Sequence, residues 1–189
     1  MTPCPQILRD KNPEMAGRLV ARFAPLVRSG AAPCARSSHG VSAIANKLYV
    51  LGGEAEARVP IGMSVHVLPL EPSGTWRTIE QSTQSPPARI AHSQVVVGDG
   101  QLVIFGGRSG VQMDEAPLND LWSLDPATEA WARVEAQAGA PPSPRSFHSA
   151  TAIGDKLYVF GGCGEAGRLS DLHEFCTTTV RRPPHQVHF

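Results

Sequence analysis

The sequence lacks any long apolar run and any surplus of charge. No apolar stretch reaches the roughly 18 residues that a membrane-spanning helix needs, and the first 30 residues hold no compact apolar segment typical of a secretory signal. The 17 Lys and Arg residues balance 17 Asp and Glu residues, so net charge recruits neither nucleic acid nor an anionic membrane surface. These absences predict a chain that binds no membrane and no nucleic acid.

Cysteine is sparse and shows no metal-binding pattern. The four cysteines, Cys4, Cys34, Cys163 and Cys176, include no Cys-x-x-Cys pair, which argues against both a disulfide framework and a zinc site. We interpret them as reduced thiols and therefore predict a cytoplasmic protein. The alternative is a reactive thiol at Cys163, which directly follows a Gly-Gly pair.

Common catalytic motifs are also missing. The chain contains no P-loop, no Gly-x-Ser-x-Gly, no His-Glu-x-x-His and no Gly-x-Gly-x-x-Gly. The sequence therefore favours a role without chemistry, with no catalytic residue, no metal and no cofactor, although it leaves an enzyme open.

A strong internal repeat is present. An Arg-x-x-His tetrad occurs at 36–39, 89–92 and 145–148, and each is followed by an apolar run that ends in Gly-Gly. The Gly-Gly pairs begin at Gly52, Gly106 and Gly161, which gives periods of 54 and 55 residues. Trp76 and Trp131 repeat at the same interval. A fixed period of this length is the signature of a repeat architecture.

Each repeat predicts the strands of one propeller blade. A short apolar strand follows the tetrad, as at 149–153, and the continuous apolar run that follows, as at 156–160, is typical of a strand buried on both faces. The Gly-Gly permits positive φ and close backbone approach where the chain leaves the sheet. A third strand over 118–124 and an outer strand over 131–134 complete the unit. Four antiparallel strands in about 50 residues are typical of a blade.

This pattern closely resembles the kelch family. The likeness lies in the Gly-Gly after an apolar strand, the Tyr or Phe before it, and the Trp about 24 residues later, and it extends over 23–175. The resemblance implies an all-β fold, a kelch-type β-propeller. The propeller would be incomplete, with two full blades, most of a third, and one orphan outer strand at 23–27.

We accordingly divide the chain into three parts. Residues 1–22 are an N-terminal extension, 23–175 are the propeller segment with repeats at about 36–80, 89–135 and 145–175, and 176–189 are a tail outside the repeat. The departure of the tail from the pattern is explained either by a degenerate last repeat or by a truncated or alternatively spliced product. An open arc leaves sheet edges and apolar blade faces uncovered, so we expect self-association.

Five arginines are candidates for partner binding. Arg36, Arg89 and Arg145 open the three tetrads, and Arg108 and Arg168 lie in the loops after Gly-Gly. Together they would form a cationic rim for an acidic segment of a partner. The alternative is that the three repeated arginines brace their own blades by bonding loop carbonyls, which leaves Arg108 and Arg168 as the better candidates.

Within the kelch family, the sequence is most similar to those of the plant specifier proteins, which divert glucosinolate breakdown toward nitriles. The similar segments are 36–40, 46–54, 105–108 and 144–149. The resemblance implies a non-haem iron held by a Glu-x-x-x-Asp-x-x-x-His cluster. That spacing is absent here, and Glu165, Asp171 and His173 are the nearest set.

Two functions remain open on the sequence. The first is a protein-interaction module whose specificity lies in the blade loops. The second is a specifier-like, iron-assisted lyase that forms nitriles from glucosinolate aglucones, or an inactive relative of one. A fold of this kind hosts both roles, so it does not decide between them.

Overall fold

The part of the chain that the structure describes is built from strands. The computed structural model of the protein describes residues 21, 23–110, 117–136 and 138–177. None of these residues belongs to a helix that is long and apolar enough to cross a membrane. The strands are β1 Gly40–Ile44, β2 Lys47–Leu51, β3 Glu54–Glu56, β4 Val59–Pro60, β5 Val65–Pro69, β6 Arg77–Ile79, β7 Ser93–Val97, β8 Gln101–Gly107, β9 Leu118–Asp125, β10 Ala130–Val134, β11 Ser149–Ile153, β12 Lys156–Gly164 and β13 Gly167–Cys176.

These strands form three consecutive antiparallel blades. Blade I has the order β1-β2-β5-β6, blade II the order β7-β8-β9-β10, and blade III contains β11-β12-β13. The hairpin β3-β4 projects from the loop between β2 and β5. The first strands of neighbouring blades contact one another, which places β1, β7 and β11 nearest the propeller axis. The predicted all-β, incomplete propeller is confirmed, since the blades within the described ranges form an arc that is not closed.

The predicted interior strands are confirmed, with one difference in burial. The runs at 47–51, 101–105 and 156–160 lie in β2, β8 and β12. Blade II is covered on both sides, and its Phe105 is 1% exposed, whereas Phe160 in β12 is 53% exposed. The expectation of burial on both faces is therefore wrong for β12, because no blade within the described residues covers its outer face.

Apolar side chains pack between the blades in two clusters. Trp131 on the outer strand β10 is 8% exposed and belongs to the first cluster, as expected for a repeated packing residue. The cluster between blades I and II contains Tyr49, Leu51, Met63, Val65, Val67, Leu102, Ile104, Leu124 and Trp131. The cluster between blades II and III contains Val97, Val103, Phe105, Leu121, Leu157 and Val159.

The orphan outer strand predicted at 23–27 is not formed. These residues carry no strand assignment, and Phe23 and Val27 are 97% and 82% exposed. Among the described residues, the first to pair with a blade is Gly30, which forms a parallel bridge with Trp76 beside blade I. A strand is stable only when its backbone groups and apolar face have partners, and the described residues supply neither to 23–27.

The second glycine of each Gly-Gly pair meets two requirements at once. At Gly107 the φ angle is +98°, and a Cβ atom would lie 2.6 Å from the carbonyl oxygen of Ile90. Gly53 and Gly162 show the same positive φ and the same close approach to a tetrad carbonyl oxygen. Glycine is therefore needed there for backbone conformation and for space. Gly154 differs, since its φ is +57° but its Cβ position is open.

We therefore expect Gly107→Ala to destabilise the protein more than Gly154→Ala. The Gly154 variant incurs only the cost of left-handed backbone, about 1–2 kcal/mol, whereas the Gly107 variant adds a backbone clash worth about 1–3 kcal/mol. Urea unfolding of both variants and the parent measures the difference. Equal losses in the two variants would show that the tetrad does not approach Gly107 closely.

Candidate partner-binding face at the loop end

The tetrads and the loops after Gly-Gly lie at one end of the propeller. The first strand of each blade begins beside the point where the second strand ends, because the two are antiparallel. We call this side the loop end. Backbone bridges tie each tetrad to the residue after its own Gly-Gly, and the bridged pairs are Ser37–Glu54, Ile90–Arg108 and Ser146–Cys163.

Arg89 and Arg145 brace blades II and III from inside. Both residues are 0% exposed. Arg89 donates hydrogen bonds to the Asp120 carboxylate at 2.6 and 2.9 Å, and Arg145 donates to the Asp171 carboxylate at 2.7 and 2.8 Å. Each also donates to the carbonyl oxygen of the first glycine in its own Gly-Gly pair. Such bidentate pairs fix a guanidinium firmly. Because Arg89 and Arg145 are both buried, a partner protein has no access to these two candidate binding residues.

Sequence reasoning missed the bracing role of the two carboxylates, although a signal was present. Asp120 and Asp171 each stand third in a Leu-x-Asp-Leu segment, at 118–121 and 169–172. Burial is the largest single influence and raises the pKa of Asp120, but the hydrogen bonds from Arg89 and Trp122 and the charge of Arg89 together outweigh it, so the net pKa is lowered. The hydrogen bond from Arg145 holds the pKa of Asp171 well below its usual range. Both carboxylates are therefore ionised and paired at neutral pH.

Blade I lacks this carboxylate. Its strand register places Ser64 where blades II and III have their aspartates. Arg36 is half-buried and pairs instead with the imidazole Nε2 of His66 at 3.2 Å. Burial lowers the pKa of His66, which favours the neutral ring that accepts this hydrogen bond. The positive charge of Arg36 thus has no carboxylate partner among the described residues.

The tetrad histidines join neighbouring blades. The ring carbon Cε1 of His92 packs on Gly52 of blade I, and that of His148 packs on Gly106 of blade II, so closely that a Cβ atom on either glycine would lie 2.6 or 3.0 Å away. His92 and His148 are both 8% exposed. His39, at the same position in blade I, is exposed. The geometry supports a packing role for the two buried rings.

Phe147 is an exposed aromatic residue with an unusual backbone conformation at the loop end. It is 61% exposed and has a φ of 55°, in the left-handed region that a bulky side chain rarely adopts. The equivalent residues Ser38 and Ala91 have φ values of 55° and 53°. The conformation is required because backbone bonds link these residues around the axis, from Ala91 N–H to Ser38 O and from Phe147 N–H to Ala91 O, each at 2.9 Å. Blade III alone places an aromatic ring at this position of the three.

Phe147 borders an open depression of about 500 Å³ whose other lining residues are Gly162, Cys163, Arg168 and Leu169. Arg168 is exposed, and its guanidinium makes no hydrogen bond or ion pair within the described part of the chain. Cys163 is half-buried, and its backbone N–H and carbonyl are both bonded to Ser146. An exposed cation beside an exposed aromatic ring can contact a partner that carries both an acidic and an apolar group.

The five candidate arginines do not form one continuous cationic rim. Arg36, Arg89 and Arg145 stand one to a blade. Arg108 is half-buried, and its equivalents are Glu54 in blade I and Cys163 in blade III. Glu54 accepts hydrogen bonds from Ser37 and Ser38, and the backbone N–H of Arg58 lowers its pKa. The loop end thus carries an ionised carboxylate at the position in blade I where blade II has Arg108, and its exposed positive charge at blade III comes from Arg168.

The set Glu165, Asp171 and His173 does not fit an iron site. Asp171 uses both carboxylate oxygens on Arg145, and one of them also contacts His173 Nε2 at 2.7 Å. Glu165 lies in the turn between β12 and β13. Among the described residues, no group of three or more His, Cys, Asp or Glu side chains is placed to hold a metal ion. Iron needs several such ligands with open positions.

The chain matches kelch repeats of known proteins. Residues 38–187 match the family model described as the KLHDC2/KLHL20/DRC7 kelch-repeats domain. The chain is similar to host cell factor 1 of Homo sapiens, with 37% identity over 150 positions that cover 71% of this chain and 7% of that protein. It is also similar to the host cell factor of Drosophila melanogaster, with 32% identity over 150 positions that cover 71% of this chain and 10% of that protein.

A plant enzyme is a further relative. The N-(sulfonatooxy)prop-2-enimidothioate sulfolyase of Thlaspi arvense is 31% identical over 153 positions, which cover 79% of this chain and 42% of that protein. The chain therefore spans less than half the length of each of these three curated relatives.

The buried histidines predict a loss of stability in weak acid. Burial lowers the pKa of His92 to about 3 and, with Arg145 nearby, that of His148 to about 4, both below the usual value of 6.5. The unfolded chain therefore binds more protons as the pH falls below 6.5, and each ring costs about 2 kcal/mol of unfolding free energy between pH 7.5 and 5. Denaturant unfolding across this range measures the loss.

A variant separates this effect from other titrating groups. His92→Asn removes one buried ring and should reduce the pH dependence by about 2 kcal/mol. An identical pH profile in the parent and His92→Asn would refute the assignment.

Proposed function

This chain belongs to the kelch-repeat family, and we propose on that premise that it is a protein-interaction module that binds its partner at the loop end. The blades hold the loops rigidly, because the arginine braces and the histidine contacts lie beneath them. Loops on a rigid scaffold are the usual carriers of recognition. We propose residues 23–175 as the interaction unit of a cytoplasmic protein; most of 1–22 and nearly all of 176–189 lie outside the described residues.

The exposed ring of Phe147 is the observation that carries this proposal. The tetrad position needs a left-handed φ in every blade, and blades I and II fill it with Ser38 and Ala91. A phenylalanine there bears the conformational cost of about 1–2 kcal/mol while 61% of its surface remains exposed. A strained residue without a packing reward is a sign of function, and exposed aromatic residues are frequent anchors of interfaces.

The charge beside Phe147 indicates the kind of partner. Arg168 supplies an exposed cation at the same depression, and Arg108 and Arg36 lie farther along the loop end. We propose that the partner offers a segment with an apolar side chain for Phe147 and an acidic group for Arg168. Arg89 and Arg145 are left out of the proposed contact surface because they are buried and paired.

A second candidate function rests on the similarity to the plant sulfolyase. Together with the resemblance to the plant specifier proteins, it suggests that the chain would convert glucosinolate aglucones, with nitriles as the products. The described residues do not fit the iron that the specifier resemblance implies, so we derive no step through it. The test adds Fe(II) to the purified chain in a glucosinolate–myrosinase assay. We expect no nitrile and no stoichiometric iron; bound iron that is lost in His173→Ala, together with nitrile formation, would favour the lyase.

Capture of partners from a cell lysate tests the binding proposal. The immobilised chain is compared with Phe147→Ala and Arg168→Ala, and Leu70→Ala is the matched control, because Leu70 is 37% exposed and follows β5 at the opposite end of blade I. Quantitative mass spectrometry should show proteins retained by the parent and the control but reduced at least about tenfold with either loop-end variant.

Folding must be unchanged for this comparison to count. Phe147→Ala should melt at or above the parent temperature, since it removes a side chain that packs little. A captured set that is the same for the parent, Phe147→Ala and Arg168→Ala would contradict binding at this part of the loop end.

A further inference from the structure

The face of blade III that points away from blade II is apolar and exposed. Ile153, Phe160 and Leu172 are 68%, 53% and 65% exposed there. In blade II the residues at the same register positions are Val97, Phe105 and Leu121, which are 4%, 1% and 8% exposed. Those three are covered by blade III, so the outer face of blade III has the composition of a surface that receives another blade.

The likeness extends to a complete row across the strands. In blade II, Ser93 pairs with Phe105, which pairs with Leu121. In blade III, the row at the same level is Ser149, Phe160 and Leu172. The polar and apolar residue types are identical at all three positions.

The contact that covers the blade II row is known in detail. His148 of blade III contacts the Ser93 hydroxyl through Nε2 at 2.9 Å. The His148 ring lies edge-on to the Phe105 ring, with centroids 5.3 Å apart. The Phe175 ring also has its centroid 5.3 Å from that of Phe105. The serine and the phenylalanine of this row are thus both in contact with the tetrad histidine of the next blade.

Blade I offers the inner part of a matching surface, along its tetrad and first strand. His39 is the tetrad histidine of blade I and is exposed, unlike His92 and His148. Val41 is 50% exposed and Ala43 is also exposed; they stand where blade III has the two alanines of β11 that pack against blade II. The chain's own segment at 29–31 pairs with Trp76 at the outer edge of the blade. Val50 and Leu68, at the register positions of Val159 and Phe175, are already buried at 7% and 2% exposure, so the region open to a second copy is the inner one around His39 and Val41.

We propose that two copies of this chain associate head to tail, with blade I of each seated on the outer face of blade III of the other. The described residues of each copy form three blades, the third with three strands, and two such arcs placed head to tail would form a ring of six, within the usual range of about 4–8 blades for propellers. The two contacts are identical and related by a twofold axis along the propeller axis. No part of the proposal depends on the loop-end partner.

The repeat specifies the bonds expected at the new contacts. Within one copy, Gly53 N–H donates to Arg89 O at 3.0 Å, and Gly107 N–H donates to Arg145 O at 2.9 Å. The third bond of this series would run from Gly162 N–H to Arg36 O of the second copy. By the same equivalence, Ser38 N–H would donate to Phe147 O of the second copy, and His39 would contact Ser149.

Sedimentation equilibrium and light scattering of the full chain test the association. The parent should have a mass of twice 20.1 kDa, with no larger species as the concentration rises. Phe160→Glu should reduce the mass to that of one chain, because it places a charge on the receiving face. Ala132→Glu is the control and should remain a pair, since it adds the same charge to an exposed residue of β10 in blade II, which takes part in neither contact face.

Site-directed cross-linking tests the head-to-tail arrangement. In a background with all four native cysteines replaced by serine, His39→Cys combined with Ser149→Cys should give a covalent pair with a short bismaleimide. Neither single cysteine should do so. Three outcomes each overturn the proposal: a monomer at every concentration, a mass that rises without limit, or a covalent pair from Ser149→Cys alone, which would mean back-to-back packing.

Discussion

Every junction between the described blades depends on the packing of a tetrad histidine against the first glycine of the preceding Gly-Gly pair. The ring of His148 fits on Gly106 because no Cβ atom intervenes, and burial keeps the ring neutral. Beneath it, the arginine of the same tetrad is held by an aspartate on the third strand of its own blade. Because one short tetrad supplies both contacts, folding within a blade and packing between blades are coupled.

This arrangement separates the residues that build the propeller from those available to a partner. Arg89 and Arg145 are buried in ion pairs within their own blades, whereas the side chains of Phe147 and Arg168 are exposed at the same loop end. Blade I, where Ser64 replaces the bracing aspartate, shows that the brace is not required in identical form in every blade. The variable positions therefore lie beside invariant backbone contacts, which gives recognition residues a fixed geometry.

The fold was predictable because the Gly-Gly pairs and tetrads recur in phase, and phase over three units is more informative than any single motif. The bracing aspartates were missed because their link to the arginines crosses strands that lie far apart in sequence. The strand expected at 23–27 fails because strand formation requires a neighbouring sheet, which local pattern does not reveal. The exposure of Phe147 depends on φ and on the neighbouring blade, and neither can be read from residue type.

Hydrogen exchange of individual backbone amides tests most directly whether the same junction forms between copies as within one. The amides of Ala91 and Gly107, which donate across junctions inside the chain, should exchange slowly at all protein concentrations. If two copies close the ring, the amides of Ser38 and Gly162 should become equally slow as the concentration rises. Fast exchange at Ser38 and Gly162 at every concentration, beside slow exchange at Ala91 and Gly107, would contradict closure by a second copy.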